Sequence, residues 1–262
     1  MYKRVCSIVA LLFLVTLSYA QDTKLEKILQ TNQLRVCIWP QYYSISYIDP
    51  RTQKLTGIDS DLAKELAKDL GVELKLVKSS FPTLINDISS NKCDIAMFGI
   101  GKTKERMEKL RFTTPHLKSD IYAVTTKSNK KIQSWDDIDK KGIVVTVAKG
   151  TFHEPIMKKK LKHAKLVVVK GFKQREDEVQ SGRADVFITD YPYSKKMLEK
   201  TKWARIVSPK KEYFLTSYAW VTAYGDDTFY NEVEKFIKSI KKDGRLRKLA
   251  KKNGLEPIIN LK

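Results

Sequence analysis

The chain has few of the residues that build metal sites and stapled scaffolds: three cysteines and three histidines among 262 residues. Cys6, Cys37 and Cys93 are too few for a disulfide framework. His116, His153 and His163 lack the spacing of metal ligands, so no metal and no cofactor is expected. Glycine (11) and proline (8) are too sparse for a collagen-like or low-complexity chain. No G-x-S-x-G or phosphate-loop pattern occurs, which removes the commonest nucleophile and nucleotide chemistries. Acidic charge is also short, 30 Asp and Glu against 50 Lys and Arg, a formal +20. After residue 20 no apolar run is long enough to span a bilayer, which excludes a polytopic membrane protein. At 42% hydrophobic the chain is too apolar to stay disordered.

What is present begins with a leader. Lys3 and Arg4 precede an apolar run from Val5 to Leu17, and Ser18-Tyr19-Ala20 places small residues where a signal peptidase reads. This predicts a secretory signal peptide, residues 1–20, cleaved after Ala20, and a periplasmic product without a lipid anchor. Loss of Lys3 and Arg4 takes the formal +20 to +18. An exported protein does not meet chromosomal DNA, so nucleic acid is not expected as a partner despite the charge. The lysines crowd 158–170, 194–202, 209–211 and 238–252 without interleaved aromatics for stacking bases. They read as solvated helix faces, with an anionic surface as the sharper alternative. The compartment permits a disulfide, but Cys37 and Cys93 sit in or beside strand-like runs and read equally well as buried thiols.

About 240 residues then alternate strand and helix. Leu25, Ile28 and Leu29 have helical spacing, and LRVCIW reads as a strand. Residues 59–70 form the clearest helix, with Leu62, Leu66 and Leu70 in register, acids in the first turn and Gly71 as the stop. VELKLVK, a short helix after Phe81-Pro82, and the strand CDIAMFGI complete a first α/β unit. IVVTVA, a helix opened by Thr151 and Glu154 at capping-box spacing, LVVVK, a helix over 173–181 and ADVFITD make a second. SYAWVTA and two basic helices, 228–242 and GRLRKLAKKNG, follow. Ligands of open α/β sheets bind beyond the carboxyl ends of strands. The positions of interest are therefore Trp39–Tyr43, Phe81, Phe98–Arg106, Lys149–Phe152 and Thr189–Tyr193.

At these positions the chain resembles the extracellular solute-binding proteins of polar amino acid ABC importers, the family-3 group. Four segments carry the resemblance, from about Leu25 to Pro257. GIDSDLAKELAKDLGV resembles the G-F-D-x-D-L-A signature, with Ile58 for Phe. DIAMFGIGKTKERMEKLRFTTPHL resembles the strand, loop and T-x-x-R stretch. AKGTFHE resembles the G-T/S-T loop, and GRADVFITD the G-R-x-D-x-x-x-x-D segment. The resemblance implies an α/β, two-lobed periplasmic-binding-protein fold (type II), with two mainly parallel sheets joined by a two-strand hinge near Ile121–Val124 and Ser217–Val221. Lobe 1 would take 21–122 and 215–262, and lobe 2 would take 123–214. The lobes would close around a free amino acid, and the closed form would deliver it to an ABC permease in the inner membrane.

A free amino acid is a zwitterion, so its receptor needs a cation for the carboxylate and an anion for the ammonium. Arg106 matches the family's carboxylate-binding arginine, whose guanidinium holds both oxygens. Thr103 begins the same turn. The N–H groups of Thr151 and Phe152 open a helix whose end attracts anions. Asp190 matches the carboxylate that receives the ammonium, and Gly99 and Gly101 match loop positions that touch the α-carbon groups. Glycine at 101 departs from the serine common in relatives. Tyr42 and Phe81 match aromatics that sandwich a ligand side chain, and Phe98 adds a third where relatives often have Ser or Ala. Trp39 stands where relatives that bind basic ligands often carry an acid, so a neutral or aromatic amino acid is favoured.

The same family includes cyclohexadienyl dehydratases, which the chain also resembles. Their chemistry needs a protonated glutamate three residues after the T-D aspartate. Here that position is Tyr193, whose phenol is a poor acid at neutral pH, so a receptor and not an enzyme is expected. His153 is expected on the surface of the first turn of its helix.

Overall fold

The computed structural model describes residues 22–225 and 227–262. The leader lies outside them. Among the described residues no helix is long and apolar enough to cross a membrane.

Two central sheets carry the chain. The first runs in the order Glu73–Lys78, Gln33–Ile38, Ile95–Gly101, Thr216–Thr222 and Arg111–Phe112, with Leu117–Ser119 also paired to Thr216–Thr222. The second runs Lys165–Val169, Val144–Ala148, Val186–Asp190, Ile121–Thr126 and Ala204–Val207. Each has three parallel strands joined by helical crossovers, as the βαβ pattern requires. Each is then extended by antiparallel strands, Thr216–Thr222 in one and Ile121–Thr126 in the other. Both sheets are therefore mixed, where the resemblance implied mainly parallel ones. The difference arises because the chain visits the second sheet and comes back, which adds a reversed strand to each.

The inner parallel strands Ile95–Gly101 and Val186–Asp190 are buried on both faces, which is why they read as continuous apolar runs, while the edge strands Glu73–Lys78 and Lys165–Val169 stay largely open to solvent. Ile95–Gly101 is buried throughout. The helix Ile58–Leu70 carries Asp59 and Asp61 in its first turn and ends at Gly71, whose φ of 68° is the left-handed cap. It lies against the first sheet through Leu62, Ala63 and Leu66. The helices Asp227–Lys242 and Arg245–Lys252 return to this lobe, the former burying Phe229, Val233, Phe236, Ile237 and Ile240. A small sheet of Gln41–Tyr42, Ser46–Ile48 and Leu55–Thr56 hangs from the end of the strand Gln33–Ile38.

The crossings fall between strands. Ser119 ends a strand of the first sheet and Ile121 begins one of the second. The return occupies 208–215. Strand-like character at Ile121–Val124 and Ser217–Val221 thus marks sheet strands on either side of the links. A strand bonded along its length to one sheet is too constrained to serve as the flexible step. Asp120 joins the two links: its carboxylate accepts the N–H groups of Tyr213 at 2.8 Å and Phe214 at 2.7 Å.

Cys37 and Cys93 form a disulfide, Cα–Cα 5.6 Å. The parallel register sets Cys37 beside Ala96, which brings Cys93, just ahead of that strand, within reach. The bond closes a loop of sequence separation 56 within the first lobe.

Candidate functional site

The carboxyl ends of the parallel strands of both sheets face one cleft, and each carries residues singled out by the sequence. From the first lobe, the strand Ile95–Gly101 ends in a turn where Thr103 caps the short helix Lys104–Met107, its Oγ1 accepting the Arg106 N–H at 3.3 Å. This turns the Arg106 side chain into the cleft. Its Nη1 donates to the Gly101 carbonyl at 2.8 Å and its Nη2 crosses to the Gly150 carbonyl of the second lobe at 2.9 Å. The guanidinium lies 5.3 Å from the centre of the Phe81 ring. No carboxylate among the described residues is within ion-pair distance of it. Burial pulls the Arg106 pKa down to about 10, so the group is still cationic at neutral pH.

From the second lobe, Asp190 ends the strand Val186–Asp190 and caps the helix Tyr191–Lys200, its Oδ1 accepting the Tyr193 N–H at 3.2 Å. Its Oδ2 accepts hydroxyl protons from two residues of the other lobe, Tyr42 and Tyr218, the latter at 2.6 Å. Burial raises the Asp190 pKa, while the bonds from Tyr218 and Tyr42 and the charge of Arg175 oppose the rise. Both phenols are pushed well above their ordinary value, chiefly by burial and then by the Asp190 charge. They act as hydrogen-bond donors at any physiological pH.

Glycine is needed where the lobes meet. Gly150 has φ 75°, and a Cβ there would lie 2.7 Å from the Pro82 nitrogen and 2.9 Å from the Phe81 carbonyl carbon. A Cβ on Gly101 would lie 2.7 Å from the Phe152 ring. The departure from serine at 101 therefore makes room for Phe152 of the opposite lobe. Gly99, φ 65°, lies against Tyr42 and donates its N–H to Asp59 Oδ2 at 2.6 Å.

The aromatics gather as one cluster. Phe81 meets Trp39 edge-on at 4.8 Å, Phe98 at 5.1 Å and Tyr42 at 6.0 Å. Phe172 of the second lobe meets Trp39 at 4.6 Å, Tyr42 at 5.2 Å and Tyr193 at 4.7 Å. Beside Arg106 a pocket of about 400 Å³ opens to solvent, lined by Phe81, Thr103, Lys149, Thr151, Phe152 and Lys158 among others.

Two expectations are corrected. Thr151 does not cap its helix. Phe152 is the cap residue, the Thr151 hydroxyl donates to the Ala148 carbonyl at 2.7 Å and the Thr151 N–H to the same carbonyl at 3.3 Å. Glu154 instead accepts the Gly150 N–H at 2.8 Å, holding the loop that Arg106 contacts. His153 is not at the surface. It is buried against Phe152, ring centres 4.0 Å apart, and neither ring nitrogen makes a well-formed hydrogen bond. Burial, followed by the charges of Arg175 and Arg106, pulls its pKa well below 6.5.

Sequence reasoning missed Tyr218, whose place depends on which strands pair, and Phe172 and Arg175, which follow the strand Lys165–Val169 and fall under the same strand-end rule that marked the other positions. Asp59 lies within the segment GIDSDLA, where the sequence alone assigns it no role. The Asp59 carboxylate is fully buried and accepts from Gly99 N, from Trp220 Nε1 at 2.9 Å, and pairs with His116 Nε2 at 3.0 Å. Its position, an acid on the apolar side of a helix, was the available signal. Among the described residues no cluster of His, Cys, Asp and Glu could hold a metal ion.

Residues 34–256 match the family model of the bacterial extracellular solute-binding proteins, family 3. The chain is 28% identical over 231 residues to the cyclohexadienyl dehydratase of Pseudomonas aeruginosa, covering 87% of this chain and 85% of that protein. The crystal structure of AncCDT-1, an ancestral amino acid-binding protein described as a precursor of cyclohexadienyl dehydratase, superposes with a TM-score of 0.81 at 32% identity. The match covers 87% of this chain and 98% of that one. AbpA of Streptococcus pneumoniae, an amino acid ABC transporter substrate-binding protein bound to L-arginine, superposes with a TM-score of 0.80 at 28% identity, covering 87% and 97%. The two-lobed α/β architecture is that of the type II periplasmic-binding-protein fold, and the chain belongs to the bacterial extracellular solute-binding proteins of family 3.

Proposed function

We propose that the protein is a receptor that captures a free amino acid between its lobes and passes it to an ABC importer. One observation carries the reading: a buried guanidinium, Arg106, and a buried carboxylate, Asp190, come from opposite lobes, and each already bonds across the cleft. That is the charge pair a zwitterion requires, split between the parts that must come together, so binding favours closure. In this reading Tyr42 and Tyr218 hold Asp190 from the far side, Phe81, Phe98 and Tyr42 flank the ligand side chain, and the backbone at Gly101, Thr103 and Phe152 serves its α-carbon groups, with Gly99 and Thr151 shaping the loops through their bonds to Asp59 and Ala148. The first lobe ends at about residue 119 and resumes at about 216, with the second between. The aromatic cluster, with Trp39 inside it, favours a neutral or aromatic side chain, although AbpA holds arginine. Delivery from the periplasm to an inner-membrane permease follows the family's role, and a signal peptide over 1–20 would place the protein there.

The enzymatic alternative draws support from the Pseudomonas dehydratase. Tyr193 weighs against it. Its hydroxyl donates to Glu176 at 2.6 Å, and burial pushes its pKa well above 10, so it is a weaker acid than a free phenol. The test is a thermal-shift screen of the mature protein with the twenty amino acids, prephenate and arogenate, each in excess, followed by product analysis. A shift with one or a few amino acids and no turnover establishes the receptor. Product from prephenate or arogenate overturns it.

A further inference from the structure

Behind Asp190 lies a charge that the receptor reading does not use. Arg175, on the helix Phe172–Gln180, is 0% exposed, yet no carboxylate among the described residues is within ion-pair distance of it. Its Nη1 donates to the Ile188 carbonyl at 2.9 Å and its Nη2 to Thr189 Oγ1 at 3.0 Å, while Nε has no hydrogen-bond partner. The guanidinium packs on Phe172 at 3.8 Å, Tyr193 at 4.2 Å and Phe187 at 4.9 Å. A buried cation without a direct counter-ion costs stability, and a chain that only needed to fill this space would do better with an apolar residue. The two acceptors are informative. They belong to the two residues immediately before Asp190, so the guanidinium is tied to the end of the strand that presents the carboxylate.

We infer that Arg175 is a positioning residue for the ammonium end of the site: it anchors the strand end at Ile188 and Thr189 and supplies a positive charge that favours the ionised form of the enclosed Asp190. The inference rests on the reading of Asp190 as the ammonium acceptor. The groups facing Asp190 are accounted for. Tyr42 and Tyr218 donate from the first lobe, Tyr193 donates its N–H from the following helix, and Tyr122 feels its charge from the adjacent strand. All of these are neutral at physiological pH. Around Arg175 itself stand Glu176, bonded to the Tyr193 hydroxyl, and His153, which burial keeps neutral. Arg175, in the same lobe as Asp190, adds its charge to the bonds from Tyr218, Tyr42 and the Tyr193 N–H in favouring the ionised carboxyl. Lysine could keep the charge but not the planar stack or the fork that spans both acceptors.

The test needs no ligand. The mature protein is labelled with ¹³C at aspartate carboxyls, and Asp190 is identified by the signal lost in Asp190→Asn. Arg175→Met should move the Asp190 titration midpoint up, the direction expected for loss of an opposite charge. Arg175→Lys, which keeps the charge, should leave the midpoint closer to the native value than Arg175→Met does. Arg175→Gln, neutral but able to retain one bond, carries the same expectation as Met should the Met variant not fold. An unmoved midpoint in either folded neutral variant overturns the inference and leaves Arg175 a packing residue. A separate arm tests the reading beneath it: L-phenylalanine, L-glutamine and L-arginine against Asp190→Asn by calorimetry. Unchanged affinity there sinks the receptor assignment of Asp190, whatever the titration shows.

Discussion

The two lobes place functional groups at equivalent points of one topology and give them opposite sign. In each sheet the second strand lies outside the first and the third lies inside it, next to the reversed strand. After the first strand come Trp39–Tyr42 in one lobe and Gly150–Phe152 in the other. After the second come Phe81 and Phe172, and after the third come Arg106 and Asp190. Beneath the cation lobe a buried anion, Asp59, accepts the Gly99 N–H. Beneath the anion lobe a buried cation, Arg175, donates to Ile188 and Thr189. The topology fixes where a ligand is met, and single residues fix the charge that meets it.

The most severe way to break this complementarity is to delete one sign. Arg106→Ala should lower amino acid affinity at least about 100-fold by calorimetry, within the 2–5 kcal/mol typical of truncating a buried hydrogen-bonded charge, while circular dichroism stays native. Asp190→Asn should cost amino acids more than the matching acids without an amino group. Equal losses for both ligand types would mean that the site does not read the ammonium.

The lobes also differ in covalent support, since only the first holds the disulfide. Cys37→Ser with Cys93→Ser should cost about 2–4 kcal/mol in urea unfolding, as expected for a loop of this size. Hydrogen exchange should quicken in the strands Gln33–Ile38 and Ile95–Gly101 before it does in the second sheet. Uniform quickening would mean that the lobes unfold as one.

A subtler change probes how closely they meet. Gly101→Ala places a methyl within 2.7 Å of the Phe152 ring. It should weaken ligand binding several-fold, about 1 kcal/mol, through imperfect closure, and leave the melting temperature of the free protein nearly unchanged. Phe152→Leu in the same background should recover part of the loss.

The smallest effect is pH dependence. His153 is depressed in the folded state, so the unfolded chain binds the proton first as pH falls. Its contribution is present above about pH 6.5 and is lost progressively below that. His153→Phe should flatten this part of the stability curve, measured by urea midpoints between pH 7 and 5. An unchanged slope would mean that the ring is not kept neutral by burial.

The amino-acid sequence by itself determined the alternation of strand and helix, the helix Ile58–Leu70 with its glycine stop, and the strand ends where Arg106 and Asp190 stand. These follow from local periodicity and capping, which act within a few residues. It also marked Gly101 as unusual without giving the reason. Only the tertiary structure decided the rest. The parallel register made Cys37 and Cys93 partners, though buried thiols read equally well from the sequence. Packing against Phe152, with Thr189 of the neighbouring strand and Arg175 of the next helix around it, buried His153, which sits on the first turn of a helix and looks exposed in isolation. Strand order brought Tyr218 to Asp190 from 28 residues away and Tyr42 from 148. Thr151, correctly spaced for a cap, turned its hydroxyl back to Ala148 because the loop must pass close to Pro82 and present the Gly150 carbonyl to Arg106. In each case the deciding partner lies on another strand or on the other lobe, and its distance and direction exist only once the sheets have formed.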